Sequence, residues 1–341
     1  MRAMSAACRP APAPPRSWSW VLTPFLVALL AVGVAAAQPM VVERVAVAGA
    51  IRELWMHVPA GLAADPLRPL VIAFHGGGSH ARAMADRTGL RLAADAHGFV
   101  VAFPEGSGRL ARVRTWNAGE CCGYALEQGV DDVGFVLAVI DALVVRHAVD
   151  PRRVYLTGMS NGAMMAYRVA LERPERIAAI APVAGAMALD PDLVRVPVPV
   201  LHVHGTDDRH APFEGGVGSA SIEGGVLRSV PDTLAAWARA HGAASEPVVT
   251  QLPDRADDGL RVERHAYATP DDPDAVVLIL VVGGGHSWPG STTRERWLGP
   301  STLDVDANEL MWAYFEPRTA PPRVRAADGG NAAATAPSTR R

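Results

Sequence analysis

The chain has 341 residues, 49% of them hydrophobic, enough for one sizeable core at the upper end of the range for a single α/β domain. Its formal net charge of −3 argues against nucleic acid or an anionic membrane surface as a partner. No lysine occurs anywhere, which excludes a Schiff-base lysine, a Ser-Lys dyad and a P-loop lysine.

Arg2, Arg9 and Arg16 precede an uncharged apolar run from Val21 to Val34, and Ala35-Ala36-Ala37 follow it. Charged n-region, apolar h-region and small-residue cleavage site are the pattern of a signal peptide, too short to span a bilayer. Residues 1–37 are therefore expected to be removed after Ala37, giving a secreted or periplasmic protein. Losing three arginines takes the net charge to about −6. Residues 38–316 are expected to form one domain, and residues 317–341, rich in Pro, Ala, Arg, Gly, Ser and Thr, a disordered tail.

Val41 to Val47 and Arg52 to Val58 read as two antiparallel strands joined by Ala48-Gly49-Ala50. Leu70 to Phe74 is continuously apolar, as in a strand covered on both faces, and runs into His75-Gly76-Gly77-Gly78. Met84 to His97 has helical spacing and closes at Gly98, and Phe99 to Phe103 is a second buried strand. From Pro104 to Val130 no periodicity is visible, so a long loop is expected there. It carries Cys121 and Cys122, the two cysteines left once the leader is gone, either as a vicinal disulfide or as free thiols. Asp131 and Asp132 cap an apolar helix from Val133 to His147.

The chain is organised around Val154 to Ala170. A short apolar run feeds Gly158-Met159-Ser160-Asn161-Gly162, which opens into a segment of good helix formers. This is the order of a nucleophile elbow: a strand, a sharp turn that exposes a serine hydroxyl, and a helix whose N-terminus favours developing negative charge. Further strands are expected at Ile177 to Val183, Val198 to His204, Val248 to Gln251, Val262 to Ala268 and Val276 to Val282. Helices are expected at Ser229 to His241 and Asp306 to Phe315. Repeated βα units make the fold class α/β, with a mostly parallel central sheet and helices on both faces.

A serine hydroxyl needs a base, and the base needs a group to orient it. In α/β-hydrolases the chain order is Ser, acid, His, with the acid and the histidine on loops after late strands. His286, on the Gly283-Gly284-Gly285 loop after the last strong strand, fits the base. Asp207 or Asp208 fits the acid; only one of two adjacent residues can face His286, and Asp208 is taken as the acid with Asp207 as a helper or turn former. One oxyanion-hole N–H is expected from the glycine run after Phe74 and the other from Asn161, the residue after the serine. A rival reading takes His202, His204, Asp207, Asp208 and His210 as metal ligands, since alternate strand residues share a face and imidazoles and carboxylates suit zinc. It leaves the elbow unexplained, and no cofactor or metal is expected.

Together His75-Gly76-Gly77-Gly78, Trp116-Asn117-Ala118-Gly119 with Cys121-Cys122-Gly123, Val130-Asp131-Asp132-Val133, the Ser160 pentapeptide, His204-Gly205-Thr206-Asp207-Asp208 and Gly283 to Gly290 resemble secreted polyhydroxybutyrate-depolymerase-like and feruloyl-esterase-like carbohydrate esterases. The resemblance spans about Val41 to Phe315. It implies an α/β-hydrolase fold and a serine esterase with Ser160 as nucleophile, Asp208 as acid, His286 as base and the Gly77 and Asn161 amides as oxyanion hole. It implies too that Trp116 and Trp288 line the acyl or sugar site, where an aromatic face suits a ferulate ring or a sugar. The substrate is then an ester on a polysaccharide or a polyester oligomer. Many depolymerases of solid polymer carry cysteine where Gly77 stands, a departure that weighs against polymer degradation. The other class still open is a non-catalytic glycan-binding relative.

Overall fold

The computed structural model describes residues 39–61, 66–196, 198–221, 226–293 and 295–322; the expected leader, residues 1–37, lies outside them. In chain order the strands and helices are β1 (Val41–Val47), β2 (Ala50–His57), β3 (Arg68–Phe74), α1 (Ala81–Thr88), α2 (Leu90–His97) and β4 (Val100–Pro104). There follow β5 (Ser107–Leu110), β6 (Val113–Thr115), α3 (Gly123–Glu127), α4 (Asp132–Arg146), β7 (Val149–Met159), α5 (Asn161–Glu172), β8 (Ala179–Val183) and β9 (Val200–Gly205). The chain closes with α6 (Val230–His241), β10 (Val248–Gln251), β11 (Arg261–Tyr267), β12 (Val276–Val282) and α7 (Ala307–Phe315).

Ten strands form one sheet in the order β1-β2-β4-β3-β7-β8-β9-β12-β11-β10. From β4 to β12 neighbouring strands run parallel, and antiparallel pairs close both edges. Alternation along each strand sends side chains to opposite faces. Leu70, Ile72 and Phe74 of β3 pack with α4, α5 and α6, while Val71 and Ala73 pack with α1, α2 and α7. The α/β-hydrolase fold class is thus met: a mostly parallel sheet with a helical layer on each face.

Three expectations change. The single helix expected over Met84 to His97 is two, because Gly89 adopts a left-handed φ of 73° and ends α1 before α2 begins. The Pro104 to Val130 stretch is partly regular: β5 and β6 form a hairpin, and α3 follows the cysteine pair. The boundary expected at residue 316 falls short, since Pro317–Pro322 is described and tied to β7. The Tyr155 hydroxyl donates to the Arg318 carbonyl at 2.7 Å, the Ala320 N–H donates to the Arg152 carbonyl at 2.8 Å, and Ala320 is buried. Among the described residues no helix is long and apolar enough to cross a membrane.

Candidate active site

Ser160 stands between β7 and α5 with φ 57° and ψ −123°, a conformation that L-residues rarely adopt. The turn closes only because its neighbours lack a Cβ. One added at Gly158 would lie 2.5 Å from the Gly162 carbonyl oxygen and 2.9 Å from that of Phe74, and one at Gly162 would collide with the carbonyl oxygens of Phe74 and His75. The Ser160 N–H donates to the Val183 carbonyl at 2.9 Å, which pins the elbow to β8.

Asn161 begins α5, so its N–H has no intrahelical acceptor. Its side chain does a second job. Oδ1 accepts from the Trp116 N–H at 2.7 Å and Nδ2 donates to the Trp116 carbonyl at 3.0 Å, fixing the loop beside the elbow. On the opposite wall, the Gly76 carbonyl accepts from His75 Nδ1 at 2.8 Å and from the Ser79 N–H at 3.2 Å. A trans peptide places the N–H opposite the C=O, so this carbonyl also sets where the Gly77 N–H points. The Gly78 N–H is spent on the Arg114 carbonyl at 2.9 Å. His75 Nε2 accepts from the Gly106 N–H at 3.0 Å, and burial lowers its pKa to about 3, so the ring is neutral.

Asp208 and His286 come from the loops after β9 and β12. His286 Nδ1 donates to Asp208 Oδ2 at 2.7 Å, and both residues are buried. The other carboxylate oxygen, Oδ1, accepts the N–H groups of His210 and Ala211, each at 2.8 Å. Burial on its own would raise the Asp208 carboxyl, but the His286 hydrogen bond and charge and the Ala211 amide hold it below the ordinary carboxylate range. Asp207 instead accepts from the Thr206 hydroxyl at 2.9 Å. The His286 N–H donates to the Leu298 carbonyl at 2.6 Å, so the segment from Glu295 to Pro300 braces the loop.

Ser160, Asn161, Gly77 and His286 line one cavity of about 300 Å³, with apolar walls from Met84, Met159, Met164 and Leu227. Trp288 lines it too, its ring held where Nε1 donates to Asn308 Oδ1 at 3.1 Å. Trp116 is a correction. It is fully buried behind the cavity, its Nε1 donating to the His75 carbonyl at 3.0 Å and its ring packed on Phe74 and His75, so it shapes the wall without facing a ligand. The exposed aromatic at the cavity is Trp297, 58% accessible, with its ring 5.2 Å from that of His210, which in turn lies 4.9 Å from His286. No motif marks Trp297, and the sequence offers no signal for it. Cys121 and Cys122 lie on the cavity wall with their sulfurs against each other.

The rival metal reading finds its ligands engaged. His202 contacts the Tyr167 hydroxyl and His204, and His204 contacts the Ala211 carbonyl, all through ring nitrogens at 3.0 Å or less. Among the described residues no group of three or more His, Cys, Asp or Glu is arranged to hold a metal ion.

Comparison with known proteins bears on what this site does. Residues 53–206 match the model of the family described as Esterase PHB depolymerase. The protein named "Putative esterase NocK" from Nocardia uniformis subsp. tsuyamanensis is 36% identical over 282 residues, which cover 80% of this chain and 79% of NocK. The bifunctional acetylxylan esterase/xylanase XynS20E of Neocallimastix patriciarum is 27% identical over 293 residues, and feruloyl esterase B of Piromyces equi is 29% identical over 204. These matches cover 85% and 58% of this chain but 37% of each of those longer proteins. Among solved structures, the acetyl xylan esterase from Aspergillus awamori superposes with a TM-score of 0.51 at 17% identity, over 73% of this chain and 94% of that one, a likeness of fold.

Proposed function

The chain belongs to the PHB depolymerase esterase family and is a carboxylic ester hydrolase, and from that premise we propose that Ser160, His286 and Asp208 carry the reaction through an acyl-enzyme. The observation that carries the proposal is the 2.7 Å bond between His286 Nδ1 and Asp208 Oδ2, in a cavity that His286 shares with a serine at a strained elbow.

Asp208 accepts the Nδ1 proton, which leaves Nε2 of His286 as the nitrogen free to act as base. Nε2 takes the Ser160 proton as Oγ attacks the ester carbonyl and returns it to the departing alcohol. Water, activated by the same nitrogen, then releases the acid. The N–H groups of Gly77 and Asn161 receive the oxyanion, where donors fixed in advance are worth most. The apolar cavity suits a compact acyl group, with acetyl and feruloyl esters of polysaccharide and polyhydroxyalkanoate oligomers as the substrate class; the named activities of XynS20E and of feruloyl esterase B favour the first two. The expected leader, outside the described residues, exports the protein, and in an oxidising compartment Cys121 and Cys122 form a disulfide on the cavity wall.

The test is reaction with a fluorophosphonate probe beside turnover of p-nitrophenyl acetate, methyl ferulate and a hydroxybutyrate trimer, for the wild type and Ser160→Ala. Labelling and turnover are expected in the wild type and lost together in the variant. A wild type that binds xylan yet neither labels nor turns over any ester would instead be a glycan-binding relative. Turnover that survives in Ser160→Ala and is lost to chelator would revive the metal reading at His202, His204 and Asp208.

A further inference from the structure

We propose that Tyr167, His202 and His204 form a directed hydrogen-bond chain that positions Asp208; this rests on Asp208 being the acid of the triad. The mechanism itself uses none of the three, yet all are fully or almost fully buried and connected end to end. The Tyr167 hydroxyl lies 2.9 Å from His202 Nδ1, His202 Nε2 lies 3.0 Å from His204 Nδ1, and His204 Nε2 lies 2.8 Å from the Ala211 carbonyl oxygen.

The direction of the chain follows from its last link. A carbonyl oxygen only accepts, so His204 Nε2 carries a proton. A neutral His204 then has a bare Nδ1, which accepts from Nε2–H of His202, and His202 Nδ1 is left bare to accept the Tyr167 proton. Burial lowers the pKa of both rings, helped at His202 by the neighbouring His204 and at His204 outweighing the opposite pull of Asp208 and the Ala211 carbonyl, so the neutral forms this ordering needs are the ones the site favours. Every nitrogen of the two rings is thereby satisfied, with a single tautomer for each.

What the chain holds is the turn that grips the acid. Ala211 is fixed on both sides, its C=O by His204 and its N–H by Asp208 Oδ1 at 2.8 Å. That N–H, with the N–H of His210, occupies Oδ1 and aims Oδ2 at His286 Nδ1. His204 Nε2 is itself 3.5 Å from Oδ2, close enough to bias it and too far to compete with His286. Tyr167 on α5 thus reaches Asp208 through β9, from the helix that starts at the elbow, so the helix beginning at Ser160 also anchors the acid. Tyr167, His202 and His204 act through Asp208 and touch no reacting atom.

The intact chain tests this through kcat and KM with p-nitrophenyl acetate. His204→Phe keeps a ring but loses the Nε2–H. It is expected to lower kcat by about 10²-fold, the scale of a roughly 1 Å misplacement, with KM little changed. His204→Gln, whose amide can reach the Ala211 carbonyl, should recover most of the loss, and Tyr167→Phe, two links away, should lose less than His204→Phe. An unmoved kcat in folded His204→Phe would overturn the proposal, as would equal losses in the Gln and Phe variants. A readout that needs no variant to fold is the nitrogen-15 spectrum of the wild-type histidines. Nε2–H tautomers at both His202 and His204 are expected, and an Nδ1–H tautomer at either overturns the chain. Those tautomers are read without turnover, so an inactive, unlabelled wild type would count against the triad and leave the chain to be judged by the spectrum.

Discussion

Around Ser160 the site is fitted together by backbone, whereas Asp208 and His286 are held by side-chain hydrogen bonds. At the elbow the decisive contacts are between main-chain atoms: the carbonyls of Phe74, His75 and Gly162 pass where a Cβ at Gly158 or Gly162 would sit. At the acid and base, a carboxylate takes two amides on one oxygen and an imidazole on the other. The first arrangement tolerates no added atom, and its main-chain contacts carry no titrating proton. The second tolerates changes of shape but depends on which groups carry protons.

The largest expected effect separates the two directly. Asp208→Asn keeps the carboxylate's shape while changing what Nδ1 of His286 can do, so kcat should fall by about 10⁴-fold with the melting temperature little changed, as read by steady-state kinetics beside a thermal melt. Gly162→Ala is the counterpart at the elbow. Its Cβ meets backbone on two sides, so destabilisation of about 3 kcal/mol or more is expected in urea titration. A mild Gly162→Ala would show that the elbow yields more readily than its contacts imply.

The difference between the regions also explains what could be read in advance. GxSxG is legible because steric exclusion acts on neighbouring residues, and glycine is the residue that satisfies it, so Gly158, Ser160 and Gly162 carry their own signature. Chain order and loop position point to His286 and to the Asp207-Asp208 pair, and the family resemblance of His204-Gly205-Thr206-Asp207-Asp208 points to Asp208 within it. The sheet was readable because β4, β8 and β12 are apolar throughout and β3 carries the apolar run Leu70 to Phe74. Trp116 misled because an aromatic in a motif reads alike whether it faces a ligand or the core, and here its indole N–H serves the His75 carbonyl. Trp297, His75 as the support of the Gly76 carbonyl, and the ordering of His202 and His204 depend on contacts between distant segments, which leave no local pattern.

Acid titration sharpens the contrast. His75, buried and held near pH 3 against an ordinary 6.5, contributes stability that is complete above about 6.5 and lost as pH falls toward 3, because only the unfolded chain binds the proton in that window. His202 and His204, also lowered by burial, act with the same sign. Asp208, lowered from 3.8, adds stability that is present above that value and lost further down. Unfolding free energy should therefore decline from neutral pH toward pH 4 by on the order of a few kcal/mol, with a shallower slope in His75→Gln, as read by denaturant titration at each pH. The smallest effect belongs to the elbow: Ser160→Gly should be about 1 kcal/mol more stable than Ser160→Ala, because glycine relieves φ 57° and alanine does not.

The central claim, an acyl-enzyme on Ser160 formed with the help of His286 and Asp208, is most directly tested by rapid-quench intact mass spectrometry during turnover of p-nitrophenyl acetate, followed by peptide mapping. The expected result is one acetyl group per chain, mapped to Ser160, that accumulates before steady state and is absent from Ser160→Ala. Turnover with no acetyl adduct at any quench time, or an adduct mapped to another residue, would contradict the account.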